Sequence, residues 1–238
     1  MTTLNPNAAA QQSRWHVFAN LHALEDAAVA RILAVADEAI AARGAFHLVL
    51  AGGTTPRQVY EALRAEQANW KHWHIWFGDE RCLSPQHPER NSRMAMTAWL
   101  AHVPIPFAQI HEIQAERGAE AAAHDYAELL KTVPRFDLVL LGMGEDGHTA
   151  SLFPMQAWER AIAWPSVLPI HDAPKPPPDR VSLSPERLSA AGSVLFLVTG
   201  AAKAGAVRDW KAGVAIPASR ISASDGVDVY LDTEAAGA

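Results

Sequence analysis

A short apolar run that breaks on glycine and leads into a helix is the feature that most narrows what this chain can become. Residues 46–51 read Phe-His-Leu-Val-Leu-Ala and stop at Gly52-Gly53; residues 136–141 read Phe-Asp-Leu-Val-Leu-Leu and stop at Gly142-Met143-Gly144. Residues 194–199 stop at Gly200 and give way to a helical segment over 201–211. Near-continuous apolar runs of this length fit strands buried on both faces, and a strand followed by a helix is the repeating unit of a parallel sheet. Residues 14–19, 74–77 and 227–231 add three more strands, and 181–183 another. Leu24, Ala28, Ile32, Val35 and Ala39 recur at helical spacing and predict a helix over 21–42, stopped by Gly44. Helices are also expected over 56–65 and from Asn91. The proline-rich stretch 174–178 reads as an extended loop.

The expected fold class is therefore α/β: a single-domain, Rossmann-like, mostly parallel sheet with helices on both faces. There is no internal repeat and no composition break. Residues 1–13 are expected to be a flexible N-terminal tail, and 14–238 one domain.

Ligands of such sheets gather at the carboxyl ends of the strands, and that is where the unusual residues fall. Gly52-Gly53-Thr54-Thr55-Pro56 combines close backbone approach, hydroxyls and a helix N-terminus, which suits a phosphate. The alternative is a plain βα turn, and GxxxxGK[ST] is absent. Gly78-Asp79-Glu80-Arg81 sets three charges at a strand end, where a solvated turn is the alternative. In 142–154, three glycines surround Glu145, Asp146 and His148. Histidine is the side chain best suited to moving protons near neutral pH. Either Asp146 or Asp79 could orient it. Arg180 and Lys203, each an ordinary surface charge when taken alone, could together clamp an anion.

The totals restrict the ligand. With 20 basic against 26 acidic residues the formal net charge is −6, so neither nucleic acid nor an anionic membrane is indicated. The lone cysteine, Cys82, rules out an intrachain disulfide and thiolate-rich metal sites. No secretory signal or membrane-length apolar run is visible, so a cytoplasmic location is expected.

Taken in order, Gly52 to Pro56, Gly78 to Arg81 with His87 and Asn91-Ser92, residues 136–154, Arg180-Val181-Ser182-Leu183 and Thr199 to Lys203 resemble the 6-phosphogluconolactonase family, whose nearest relatives are the glucosamine-6-phosphate isomerases/deaminases. The resemblance runs from about Trp15 to Leu231, and its 142–154 segment is the specific part. It implies hydrolysis of 6-phospho-D-glucono-1,5-lactone to 6-phosphogluconate, a step of the oxidative pentose phosphate pathway, with no metal and no cofactor. His148 would be the acid/base, supported by Asp146 or Asp79. Gly52, Gly53, Thr54, Thr55, Gly147, Arg180 and Lys203 would hold the substrate and its phosphate, and Arg81 and Asn91 would line the pocket. Backbone amides of the glycine-rich loop or a basic side chain would stabilise the oxyanion. The working unit is expected to be a monomer or weak homodimer.

The chain departs from the family pattern at Thr54 (often Ser), at Glu145 (often Pro), after Asp79-Glu80-Arg81, where Cys82-Leu83-Ser84-Pro85 follows and the family usually has Val and Pro soon after, and at Met155 (usually Gly). A deaminase would need a carboxylate five residues after the histidine, where this chain has Phe153. A non-catalytic sugar-phosphate-binding module could lose Asp79 and His148, and both are present. GxSxG is absent, and Ser151 is the one hydroxyl near His148 that could act as a nucleophile.

Overall fold

The computed structural model describes Gln11, residues 13–160 and residues 163–237. The described strands are β1 (Ser13–Phe18), β2 (Phe46–Leu50), β3 (Trp73–Phe77), β4 (Asp79–Arg81), β5 (Ile110–His111), β6 (Phe136–Leu141), β7 (Val167–Ile170), β8 (Arg180–Leu183), β9 (Ala191–Val198) and β10 (Val227–Asp232). The α-helices are α1 (Leu21–Arg43), α2 (Thr54–Leu63), α3 (Asn91–Ala98), α4 (Ala119–Leu130), α5 (Pro185–Ser189), α6 (Ala204–Lys211) and α7 (Thr233–Ala236).

Seven strands make one parallel sheet in the order β1-β10-β9-β6-β2-β3-β5. Every residue of β6 and β9 is buried, so both faces of the sheet centre are covered, as their near-continuous apolar runs predict. β1, at one edge, leaves Arg14, His16 and Val17 exposed. Asn20 caps α1 by accepting the Ala23 amide at 2.9 Å, and Gly44 ends it at φ 77°. The buried stripe of α1, Leu24, Ala28, Ile32, Val35, Ala36 and Ala39, packs towards β2, β6 and β10.

The order contains a switch point. From β2 the chain goes through α2 to β3 and β5 on one side, whereas from β6 it goes to β9 and β10 on the other. β2 and β6 are neighbours, so the loops leaving their carboxyl ends diverge and open a crevice between them.

A second sheet, β4-β8-β7, is antiparallel and was not anticipated beyond the 181–183 strand. Its first strand is the charged triplet Asp79-Glu80-Arg81. Three charges in a row look like a solvated turn, but Glu80 is fully buried. Its carboxylate accepts the amides of Arg81, Asn91 and Ser92, each at 2.8 Å, and lies 3.1 Å from the buried Arg90 guanidinium. The carboxylate thus satisfies the N-terminus of α3, where negative charge is favoured.

Four other expectations are corrected. The stretch 174–178 is not extended: the Ala173 amide donates to the Pro178 carbonyl at 3.0 Å, folding the loop on itself, and the Pro176–Pro177 bond is cis. The helix expected from 56 begins at Thr54. The segment 201–211 divides into a 3-10 turn, Ala201–Lys203, and α6. Of the expected tail, residues 1–10 and 12 lie outside the described residues. Gln11 accepts the Trp210 indole N–H at 2.8 Å and donates to the Ala218 carbonyl at 3.1 Å, and Ser13 already belongs to β1. Neither α4 nor the short β5, β7 and α5 was foreseen. No helix of the described residues is long and apolar enough to cross a membrane.

Candidate active site

A cavity of about 480 Å³ opens at the carboxyl ends of β2, β6 and β9, over the switch point. Its wall includes Gly52, Gly53, Thr54, Thr55, Asp79, Arg81, Asn91, His148, Arg180 and Lys203. Residues from Gly52 to Lys203 are thus brought together as the sequence predicted. Two predicted residues do not reach the wall. Asp146 stands behind His148. Gly147, at φ 79°, forms the turn; its amide donates to the Gly144 carbonyl at 3.1 Å, and an added Cβ would lie 2.8 Å from Ile216 Cβ.

The first turn of α2 forms one side of the wall. Gly53 is its N-cap at φ 106°, with no side chain to satisfy the leading amides. Those amides have no intrahelical partner, and with the positive end of the helix dipole they form an anion cradle. A Cβ on Gly52 would lie 2.1 Å from Asn91 Oδ1, so only glycine lets the loop approach α3 this closely. Thr55 and Thr199 join their hydroxyls at 2.7 Å, tying the loop after β2 to the end of β9.

Beside this loop lies a polar network. Asn91 Nδ2 donates to the Asp79 carbonyl at 2.9 Å and to Asp79 Oδ1 at 3.0 Å, and Ser151 Oγ donates to Asp79 Oδ2 at 2.6 Å. Ser151 is fully buried and off the cavity wall, so its hydroxyl positions Asp79 and is not placed as a nucleophile. Arg81 donates to the Glu89 carbonyl at 2.5 Å.

His148 Nδ1 lies 2.5 Å from Asp146 Oδ1, and the same oxygen accepts the His148 amide at 3.2 Å. Of the two carboxylates weighed from the sequence, Asp146 is therefore the one that touches the imidazole, while Asp79 is held by Asn91 and Ser151. An Nδ1–H donated to Asp146 leaves the Nε2 lone pair for chemistry. Burial pushes the imidazole pKa below its ordinary value, and Asp146 only partly offsets this. Burial also pushes the Asp146 carboxyl up, but the hydrogen bond and charge of His148 outweigh it and hold the carboxyl below the usual range. The pair at neutral pH is thus a neutral imidazole beside an ionised carboxylate. Phe153 packs against the imidazole, ring centroids 4.5 Å apart. An added Cβ on Gly144 would lie 2.0 Å from His148 Nδ1, so this glycine makes room for the ring.

The basic side of the wall holds a residue that was not anticipated, Lys175. Arg180 is buried. Its Nε donates to the Pro177 carbonyl and its Nη2 to the Lys175 and Pro176 carbonyls, each at 3.0 Å. The guanidinium thereby folds the proline-rich loop over the cavity and carries Lys175 to its rim. Lys175 Nζ meets Glu145 Oε1 at 2.7 Å, and Lys203 Nζ lies 3.6 Å from Glu145 Oε2. The only sequence hint of Lys175 is a lysine set among prolines just before the Arg180 strand. Among the described residues, no group of three or more His, Cys, Asp or Glu side chains is placed to hold a metal ion.

A family model described as glucosamine-6-phosphate isomerases/6-phosphogluconolactonase matches residues 19–230. A probable 6-phosphogluconolactonase 3, chloroplastic, of Oryza sativa subsp. indica is 39% identical over 188 residues, covering 71% of this chain. The chain spans only 57% of that relative's length. A 6-phosphogluconolactonase of Mycobacterium leprae is 34% identical over 239 residues, covering 92% of this chain and 96% of the relative. Among solved structures, a 6-phosphogluconolactonase from Trypanosoma brucei superposes with a TM-score of 0.86 at 27% identity, covering 95% of this chain and 98% of its own.

Proposed function

The chain belongs to the glucosamine-6-phosphate isomerase/6-phosphogluconolactonase family, and from that premise we propose that it hydrolyses 6-phospho-D-glucono-1,5-lactone to 6-phospho-D-gluconate. The observation that carries this proposal is His148, backed by Asp146, facing the same cavity of about 480 Å³ as the α2 cradle and Lys203. A proton-transfer group and an anion cradle share one space, although Gly53 and His148 are remote in the sequence.

In this mechanism the α2 amides, Thr54, Thr55 and Lys203 hold the phosphate, with Lys175 joining them and Arg180 fixing the loop that carries it. Asp79, Arg81 and Asn91 line the sugar side. His148 Nε2 takes a proton from a water aimed at the lactone carbonyl, and the imidazolium formed is stabilised by Asp146. The C1–ring oxygen bond breaks, and His148 returns the proton to the departing ring oxygen. Remote phosphate binding contributes positioning. General acid–base help of this kind contributes about 10²–10⁴-fold.

Phe153 favours hydrolysis over the isomerase/deaminase chemistry of the wider family, because an apolar ring lies against the imidazole where that chemistry would require a carboxylate. The buried Ser151 hydroxyl, directed at Asp79, supports direct water attack over an acyl-enzyme. The single cysteine is compatible with a cytoplasmic location.

The test is His148→Ala, assayed in a pH-stat with fresh lactone and the spontaneous hydrolysis subtracted. Turnover is expected to fall about 10²–10⁴-fold while 6-phosphogluconate still binds. Near-normal turnover would remove His148 from the mechanism.

A further inference from the structure

Glu145 has no part in the chemistry described above, yet it is the anion that the two cavity lysines contact. Its Oε1 lies 2.7 Å from Lys175 Nζ and its Oε2 3.6 Å from Lys203 Nζ. Both lysines line the cavity, whereas Glu145 does not. Its side chain is 55% exposed, so it can swing into water without leaving a void, while Lys203 at 23% is more confined. Its backbone sits three residues before His148, on the loop that carries the acid/base, and its carboxylate reaches across to the proline-rich loop. A carboxylate facing two ammonium groups lowers the positive potential that an incoming phosphate meets.

We propose that Glu145 is the resident counter-anion of the phosphate-binding lysines: it gives up Lys175 and Lys203 to the incoming phosphate and reclaims them as product leaves. The inference rests on the lactonase function proposed above. Hydrolysis adds water across the C1–ring oxygen bond and yields a carboxylic acid, which loses its proton. The product therefore carries one more negative charge than the substrate. While it stays beside the lysines this carboxylate opposes the product more strongly than the substrate, and it offers the lysines a partner as the phosphate departs. The residue thus trades affinity for release and for selection of the less charged ligand.

The experiment compares wild type with Glu145→Gln by calorimetric titration of 6-phosphogluconate, with gluconate as the ligand lacking phosphate. Glutamine keeps a carbonyl that can accept from Lys175, so the charge is removed while the contact is retained. Exposed ion pairs are individually weak, so the gain from removing two is on the order of three- to tenfold. The variant is expected to bind 6-phosphogluconate tighter by that factor, with a matching fall in the product inhibition constant and no gain for gluconate. In a Lys175→Ala background the same substitution is expected to gain less. Unchanged or weaker product binding by Glu145→Gln, with wild type binding normally, would overturn the counter-anion role alone and make Glu145 a positioning residue. No product binding by wild type at millimolar concentration would instead overturn the function on which the inference rests.

Discussion

Gly144→Ala tests the proposed chemistry with a single methyl group. Gly144 is not in the left-handed region, so alanine brings no backbone strain of that kind. The methyl carbon would nevertheless lie 2.0 Å from His148 Nδ1, 2.1 Å from its Cε1 and 2.5 Å from Asp146 Oδ1. An ordinary non-bonded separation is about 3.5 Å, so the ring would have to retreat by roughly 1.5 Å. Asp146 cannot follow the ring unchanged, because the same methyl crowds its oxygen. Misplacement of a reacting group by about 1 Å costs on the order of 10²-fold, and the loss is bounded by the ~10²–10⁴-fold that general-base help supplies. We expect kcat to fall about 10²- to 10³-fold in the pH-stat assay. The dissociation constant of 6-phosphogluconate should stay within about threefold, because the phosphate cradle lies on α2 and Lys203, away from the clash. Gly205→Ala is the control. It lies inside α6, where the nearest contact to the new methyl is Arg208 at 3.9 Å, and turnover should be unaffected. A Gly144→Ala enzyme with kcat within tenfold of wild type would refute the claim that this imidazole, in this position, moves the proton.

Glu80→Gln removes a buried charge that satisfies both Arg90 and the first amides of α3. Breaking one partner of such a pair costs about 3–5 kcal/mol, read as a lower urea midpoint, and a loss under about 1 kcal/mol would mean that Arg90 is satisfied without it. His47, His74 and His111 stack across β2, β3 and β5, and burial pushes all three pKa values down, with His111 at about 4 and further lowered by its two neighbours. The unfolded chain, with ordinary histidines near pH 6.5, binds more protons through this window, so stability should be fully present above about pH 6.5 and be lost as the pH falls towards 4. His111→Phe should flatten the dependence of the urea midpoint between pH 7 and 5; an unaltered slope would show that other groups cause it.

The sequence by itself was enough for the parallel sheet and for placing His148 among the glycines at its carboxyl edge. Leu138 to Leu141 and Val194 to Val198 are apolar without alternation, and a strand covered on both faces accommodates such runs. The glycines that end them mark the carboxyl edge, and His148 is the one histidine of 11 set among them. These are local signals, written in consecutive residues. The antiparallel sheet, the buried Glu80, the arrival of Lys175 and the choice of Asp146 over Asp79 were decided by tertiary structure. β4 is three residues long and charged, too short to show a period, and it exists because β8, about a hundred residues on, pairs with it. Glu80 is tolerated in the core because Arg90 and the start of α3 come to it. Asp79 was equally plausible beside His148 until Ser151 and Asn91 were seen to engage it. Burial of a charge depends on partners that the fold brings from afar, and linear spacing does not encode which carboxylate reaches an imidazole first.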